Sequence, residues 1–330
     1  MVEGKLPENI LKRSVLKEIK DQNNNVITGA AFGEDCAVLN LKGHIGVSVA
    51  TSYRTSEAAY SVYRASNNLF AKGYEFEYAF LAITIPTAFE EQDLKDLMRV
   101  LHSTCEKLGA IIPGGHTEVS HNDSLTKEEC IVSVTAIGSK NPDNNMSDKW
   151  GIHPGDSIIA TKWISIEASL RLLDTRKEAI ASYFNNSFLS YFDEYEKYLS
   201  VKEESEIAIK NSAIAMKDVS EFGLFGALWE LGSLAGLGLS IDSKAIPVRQ
   251  EIIEVFNLFD INPYEAKSSG MLLIVTSDPD NMIDALHRAD IEAACIGQFT
   301  DSNDRVVING EEIRHLEKIK QDAIYKIKEI

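Results

Sequence analysis

Polar and apolar positions change rhythm along the first half of the chain in a way that predicts alternating strands and helices. Cys36 to Leu39 and Ile45 to Thr51 are short β-rich runs, and Ser56 to Lys72 is helix-like. Glu77 to Ile85 reads as a further strand ending at Pro86. Leu94, Leu97, Met98, Leu101, Cys105 and Leu108 then recur at intervals of three and four, which predicts a helix with one buried face. A glycine turn is expected at Gly114–Gly115, and Cys130 to Ile137 closes this half as a strand.

Between Ser139 and Asp148 the composition favours turns over regular structure, which makes this stretch the candidate linker. The predicted boundary falls near Trp150, dividing residues 1–150 from 151–330. The second half opens with Pro154-Gly155-Asp156 leading into a strand, Ser157 to Thr161. Charged helical segments follow from Ile166 to about Ala215, expected on the surface over a core. Strands at Leu239 to Asp242 and Met271 to Thr276, an amphipathic helix near Met282 to Arg288, and short strands around Ala294 and Val306 complete the pattern. Helices and strands alternate without a strict βαβ rhythm, so the expected class is α+β.

Two segments bear on location. Residues 1–20 mix charges with Ile10, Leu11, Val15, Leu16 and Ile19 at helical spacing and lack the apolar core of a secretory signal. Gly223 to Ile241 is apolar enough to resemble a membrane span, but Glu230 interrupts it, glycines recur in it, and no Lys or Arg flanks it. The expectation is a buried helix running into a strand.

Composition refines this picture. A chain of 330 residues exceeds what one core usually serves, and 44% hydrophobic with 25% charged residues is an ordinary globular mixture. The formal net charge of -17 and the lack of any cluster of five Lys and Arg argue against a nucleic-acid partner. Acidity does not exclude a nucleotide, because a few carboxylates can hold a divalent metal that bridges to phosphates. Cys36, Cys105, Cys130 and Cys295 lie far apart and form no C-x-x-C pair, so neither a zinc site nor a disulfide framework is indicated; reduced thiols in the cytoplasm are expected.

Three polar, glycine-bearing segments interrupt the apolar pattern. Gly33-Glu34-Asp35-Cys36-Ala37-Val38 sets two carboxylates before a strand, either as Mg²⁺ ligands on a rigid base or as solvated acids of a tight turn. Pro113-Gly114-Gly115-His116-Thr117-Glu118-Val119 is either a plain turn or a loop whose backbone approaches phosphate closely, with Thr117 offering a hydroxyl and Glu118 a metal contact. Asp218-Val219-Ser220-Glu221-Phe222-Gly223-Leu224 opens the apolar helix, where Ser220 with Gly223 reads as a helix start, either an N-terminus that attracts an anion or a plain cap whose acids complement the helix dipole.

Taken in order, these segments, with Gly4-Lys5-Leu6-Pro7 and Pro154-Gly155-Asp156 followed by Thr161-Lys162, resemble the signature of the AIR synthase (PurM-like) superfamily. The Gly-Gly-His-Thr-Glu-Val wording and Leu224 to Glu230 look like its HypE-related branch. The resemblance implies an α+β, PurM-like two-domain architecture whose N-terminal sheet forms a dimeric barrel with a second subunit. It implies ATP and Mg²⁺ as cofactors, and phosphorylation of an oxygen on a small-molecule or protein-borne substrate. Carried onto matching positions, Asp35 and Asp218 are implied metal ligands and, with Glu118, catalytic. Lys5, Glu34, Asn67, Asn68, Gly114, Gly115, His116, Thr117, Lys162 and Glu221 are implied to contact the nucleotide.

The chain also departs from the family pattern. Thr51-Ser52-Tyr53 stands where the family writes Thr-Thr-Asp, and Asn67-Asn68 where it writes Asn-Asp. Two anionic ligands are thus replaced by neutral groups, which bind Mg²⁺ less strongly. This opens an alternative expectation, a catalytically weakened relative acting as a nucleotide-binding or regulatory dimer. HypE proteins end in a cysteine that is modified; the sequence here ends Lys328-Glu329-Ile330, so modification of its own tail is not expected.

Overall fold

The computed structural model describes residues 8–9, 12, 16, 26–29, 31–40, 43–120, 125–146 and 151–327. Lys5 with the rest of its motif, most of the N-terminal helical pattern, and Trp150 lie outside these residues. The chain divides into a smaller unit, residues 23–29 and 35–142, and a larger unit, residues 1–22, 30–34 and 143–330.

The smaller unit holds a six-stranded sheet of β1 (Val26–Thr28), β2 (Cys36–Asn40), β3 (His44–Arg54), β4 (Tyr78–Ile85), β5 (Ile111–Val119) and β6 (Glu129–Ser139). Their spatial order is β1-β2-β3-β6-β4-β5, antiparallel except for β4 and β5. A parallel pair needs a crossover, and α2 (Glu91–Leu108) supplies it. This is the helix expected from the three-and-four spacing: Leu97, Leu101, Cys105 and Leu108 are buried, Glu90 and Asp93 form a capping box, and Gly109 ends it in the left-handed region. Helix α1 (Ala58–Ala71) is buried along most of its length because it packs on β3 and β6 with one side and meets α2 with another.

Alternation decides which sheet face α1 covers. Cys130, Val132, Val134 and Ala136 of β6 and Ala79, Leu81 and Ile83 of β4 are buried. The opposite face keeps large apolar side chains in the open, among them Val49 at 59%, Tyr53 at 64%, Tyr78 and Phe80 at 42%, and Ile111 at 61% exposure.

One expectation changes here. Gly114 and Gly115 form no turn but lie within β5, paired with Phe80 and Leu81 of β4. A Cβ on Gly115 would sit 2.3 Å from the Leu81 carbonyl oxygen, so the glycine lets two strand backbones approach.

The larger unit holds a seven-stranded sheet in the order β13-β12-β9-β11-β7-β10-β8. Its strands are β7 (Ser157–Thr161), β8 (Ala215–Val219), β9 (Gly238–Asp242), β10 (Met271–Thr276), β11 (Ala293–Thr300), β12 (Arg305–Asn309) and β13 (Glu312–His315). Helix α3 (Ile166–Thr175) follows β7, then α4 (Lys177–Tyr183), a short turn at Asn186–Leu189, and α5 (Lys202–Lys210). The apolar run becomes α6 (Gly223–Ala235) leading into β9, as expected, and no described helix is long and apolar enough to cross a membrane. Leu224, Ala227, Leu228 and Leu231 of α6 pack into the core with Ile158 and Leu273; full burial of a leucine contributes ~1.5–3 kcal/mol relative to exposure.

The polar stretch from Ile166 to Ala215 is helical but not wholly superficial. Glu167 and Glu204 are buried, the first accepting from Ser269 Oγ, the second beside Lys162. The stretch also ends in β8, whose Ala-Met-Lys-Asp-Val sequence is buried at every position and carries no strand-like alternation. The fold is α+β with two sheets.

Candidate functional site

In the larger unit, β8 delivers Lys217 and Asp218 side by side, both nearly buried. Lys217 Nζ lies 2.9 Å from Glu230 Oε2 on α6 and donates to the Gly33 carbonyl at 3.3 Å. Glu230 interrupts an apolar helix because a buried ammonium needs an anionic partner, not because the helix meets water there. Gly33 adopts a left-handed φ of 84°, and a Cβ on it would press on Leu234 of α6 at 2.9 Å. The bond therefore joins Gly33, in the first of the three segments singled out in the sequence, to Lys217, the residue just before the third segment, which begins at Asp218.

The start of α6 is built differently from the expected Ser220 cap. Phe222 occupies the N-cap position at a left-handed φ of 68°, and no side chain caps it from there. Ser220 contributes its carbonyl, which accepts from Gly223 N–H at 3.2 Å and Ser268 N–H at 3.2 Å. Phe222 N–H instead donates to Asp322 Oδ2 at 2.8 Å. Gly223 continues left-handed at φ 60°, where a Cβ would meet the carbonyl oxygens of Ala266 and Tyr264 at 2.6 Å. Glu221 pairs with the buried Lys267 at 2.8 Å. Burial pushes the Asp322 carboxyl up to about 7, against the lowering effect of Ile324 N–H, Lys267 and Phe222 N–H.

A narrow crevice beside this turn is lined by Glu8, Phe32, Phe222, Trp229 and Lys318. Glu8 accepts from Trp229 Nε1 at 3.3 Å and pairs with Lys12 at 2.5 Å and Lys318 at 2.8 Å. Partial burial raises its pKa, but these three donors outweigh burial and hold it at about 2. On Trp229 the Arg305 guanidinium lies 4.4 Å from the ring centroid. Lys162, implied to contact nucleotide, is buried, lies 2.5 Å from Glu204 Oε1, and donates to the carbonyls of Tyr198 at 3.0 Å and Ser200 at 2.6 Å. Its ammonium is thereby satisfied within the protein, and burial pushes the Glu204 carboxyl up.

The other candidates belong to the smaller unit. Asp35 is half-buried at the start of β2, next to Glu34 of the turn. On α1, Asn67 is buried, and Asn68 Nδ2 donates to Ser48 Oγ of β3 at 2.8 Å. Tyr53 is exposed on the open face of the sheet. Along β5, Gly114, His116 and Glu118 pair with Phe80, Ala82 and Thr84, while Thr117 pairs with Ile83. Pairing across the ladder sets Gly114, His116 and Glu118 on the open face with Phe80, and alternation turns Thr117 away. Glu118 accepts from Thr84 Oγ1 at 3.3 Å and lies 3.5 Å from His116 Nε2.

Cys36, Cys105 and Cys130 are buried and Cys295 is exposed, and none of the four is in a disulfide. Burial pushes the Cys105 thiol up to about 11 and raises Cys130, so neither is primed as a nucleophile. Among the described residues no three His, Cys, Asp or Glu side chains gather as a metal cage.

Sequence reasoning passed over Lys217, Lys267 and Asp322. Lys217 carried a signal, two adjacent charges inside an otherwise apolar pentapeptide; the isolated Asp322 carried none.

The AIR synthase related protein N-terminal domain matches residues 33–139, and the corresponding C-terminal domain matches residues 153–309. The chain belongs to the AIR synthase related family and has its two-domain, PurM-like fold. Selenide, water dikinase of Caldanaerobacter subterraneus subsp. tengcongensis is 25% identical over 68% of this chain and 63% of that protein, so the chain spans less than two thirds of that relative. A Methanocaldococcus jannaschii protein named for hydrogenase expression and formation is 23% identical over 92% of this chain and 91% of its own. Among solved structures, a HypE–HypF complex superposes with a TM-score of 0.74 at 15% identity, covering 94% of this chain and 99% of that one. HypE in complex with ATP gives 0.69 at 16% identity, covering 96% of each chain.

Proposed function

We propose that the chain uses ATP and Mg²⁺ to phosphorylate, and so activate, a substrate oxygen, as a HypE-related member of its family. The observation that carries this is the bond from Lys217 to Gly33, which fastens the Gly33–Glu34 turn to the Asp218–Gly223 stretch. Asp35 directly follows that turn and Asp218 directly follows Lys217. A HypE relative was solved in complex with ATP, which supports the reading that the chain binds ATP.

In this proposal Asp35 and Asp218 are the Mg²⁺ ligands. Mg²⁺ keeps several waters and takes one or two protein carboxylates together with substrate phosphates, so a third acid is not required. Glu118, Glu221 and Glu34 are supporting acids, and Gly114 to Thr117 the phosphate-facing strand. Lys162 is left out because its donors are taken.

Dimerisation belongs to the same proposal. The open face of the six-stranded sheet, with Val49, Tyr53, Phe80 and Ile111, is the surface through which two copies would associate. The substrate is small or protein-borne; a HypE relative was crystallised with HypF, a protein partner. Titration calorimetry of ATP with Mg²⁺ into the wild-type chain, Asp35→Asn and Asp218→Asn tests the site. The expected result is binding to the wild type that weakens about tenfold or more in each variant; no heat from the wild type rejects the proposal.

Tyr53 and Asn68 favour a second reading, a binding or regulatory relative with weakened chemistry. Asn68 spends its amide on Ser48. A large gain in ATP hydrolysis in Tyr53→Asp with Asn68→Asp would favour this second reading over the first.

A further inference from the structure

We propose that Asp322 is a positioning residue for the proposed site, and that the segment Asp322–Lys326 is a clasp that fixes the loop between β8 and α6. The inference rests on the nucleotide-site reading above and names the group that holds its Asp218–Gly223 stretch in shape.

Asp322 is fully buried, and its two oxygens serve two different backbone groups: Oδ2 accepts from Phe222 N–H at 2.8 Å and Oδ1 from Ile324 N–H at 3.0 Å. One carboxylate thus spans exactly the link between the C-terminal segment and the start of α6. Phe222 is the residue that needs holding. It is a bulky residue in the left-handed region, a conformation that L side chains rarely adopt, and it is followed by a second left-handed residue, Gly223.

The same segment is fastened at further points. Lys326 pairs with Glu265 at 3.0 Å. The Tyr325 ring lies under two cations, Arg171 at 5.1 Å and Lys267 at 5.4 Å. Lys267 is also the partner of Glu221 in the loop itself. The clasp and the loop therefore share Lys267, and Glu265 and Lys267 flank Ala266, whose carbonyl leaves no room for a Cβ on Gly223. Releasing Asp322 would free Phe222 N–H and let the loop relax toward right-handed geometry, moving Asp218 and Glu221 relative to each other.

The test is hydrogen–deuterium exchange of the full chain, without nucleotide, followed peptide by peptide, together with ATP titration in the presence of Mg²⁺. In Asp322→Ala, peptides spanning residues 217–226 are expected to exchange about tenfold faster, the loss of one charge-assisted hydrogen bond, while peptides of β10 and β11 stay unchanged. ATP affinity is expected to fall by a similar factor. Asp322→Asn keeps one acceptor oxygen and should restore part of the protection and part of the affinity, which a merely destabilised fold would not do; it also serves as the reporter if the alanine variant does not fold. Unchanged exchange at residues 217–226 overturns the clasp, whether or not ATP binds. Faster exchange with unaltered ATP affinity overturns its positioning role. A wild-type chain that binds no ATP defeats the site reading separately, and the exchange result still decides the clasp.

Discussion

Lys217 and Glu230 face each other at 2.9 Å with only 5% and 6% of their side chains exposed. Removing either partner takes the ion pair away from a charge that stays buried, which costs about 3–5 kcal/mol. Lys217→Met and Glu230→Leu should each lower stability by that amount in urea unfolding, and the double substitution should cost much less than their sum. Additive losses would show that the two charges do not depend on each other.

Asp322 and Glu8 give pH dependences of opposite sign. With its folded pKa raised to about 7 by burial, Asp322 holds its proton more tightly in the folded state than in the unfolded chain. Its contribution to stability therefore falls as pH rises through the window from about 4 to 7, and is level above it. Asp322→Asn should flatten the stability profile in that window. Equal slopes for the two proteins would contradict the assignment.

Glu8 is held at about 2 by Lys12, Lys318 and Trp229 in spite of partial burial. Its contribution is present above the unfolded value near 4.5 and is lost as pH falls toward 2. Glu8→Gln should lower the thermal midpoint at pH 7 but bring the variant and wild-type curves together near pH 2. A gap that stays constant with pH would mean that packing alone, and not charge, is lost.

The open sheet face predicts association. Phe80→Asp places a charge among Val49, Tyr78 and Ile111 and should shift a dimer to monomer in sedimentation velocity. Tyr183→Asp, at a still more exposed aromatic of the larger unit, should leave the sedimentation coefficient unaltered. A wild-type chain that sediments as a monomer removes the dimer proposal.

Gly114 and Gly115 should respond differently to alanine. At Gly115 the added Cβ meets the Leu81 carbonyl, and ~1–3 kcal/mol of destabilisation follows from overpacking. At Gly114 the nearest atom is 3.7 Å away on Phe80, an ordinary contact, so folding should be nearly unaffected. Equal unfolding midpoints for the two variants would place the close approach elsewhere.

Local pattern fixed those features whose physics is local. The spacing of Leu97, Leu101, Cys105 and Leu108 encodes a helix with one face in a core, and the apolar run from Gly223 with Glu230 inside it encodes a buried helix followed by a strand. The ordered motifs were enough to indicate the family and its two-domain α+β fold. The sequence did not disclose that Ala215–Val219 is a strand, because a strand buried on both faces has no alternation to read. Nor did it disclose that Gly114–Gly115 lies in a ladder or that Ser220 caps nothing with its hydroxyl, because paired glycines and a serine before a helix occur in several local geometries. What tertiary structure alone decided is partnership: Lys217 finds Gly33 across 184 positions and Phe222 finds Asp322 across 100. A buried charge or N–H is satisfied by whatever the folded chain brings within about 3 Å, and that distance is set by packing, not by order along the sequence.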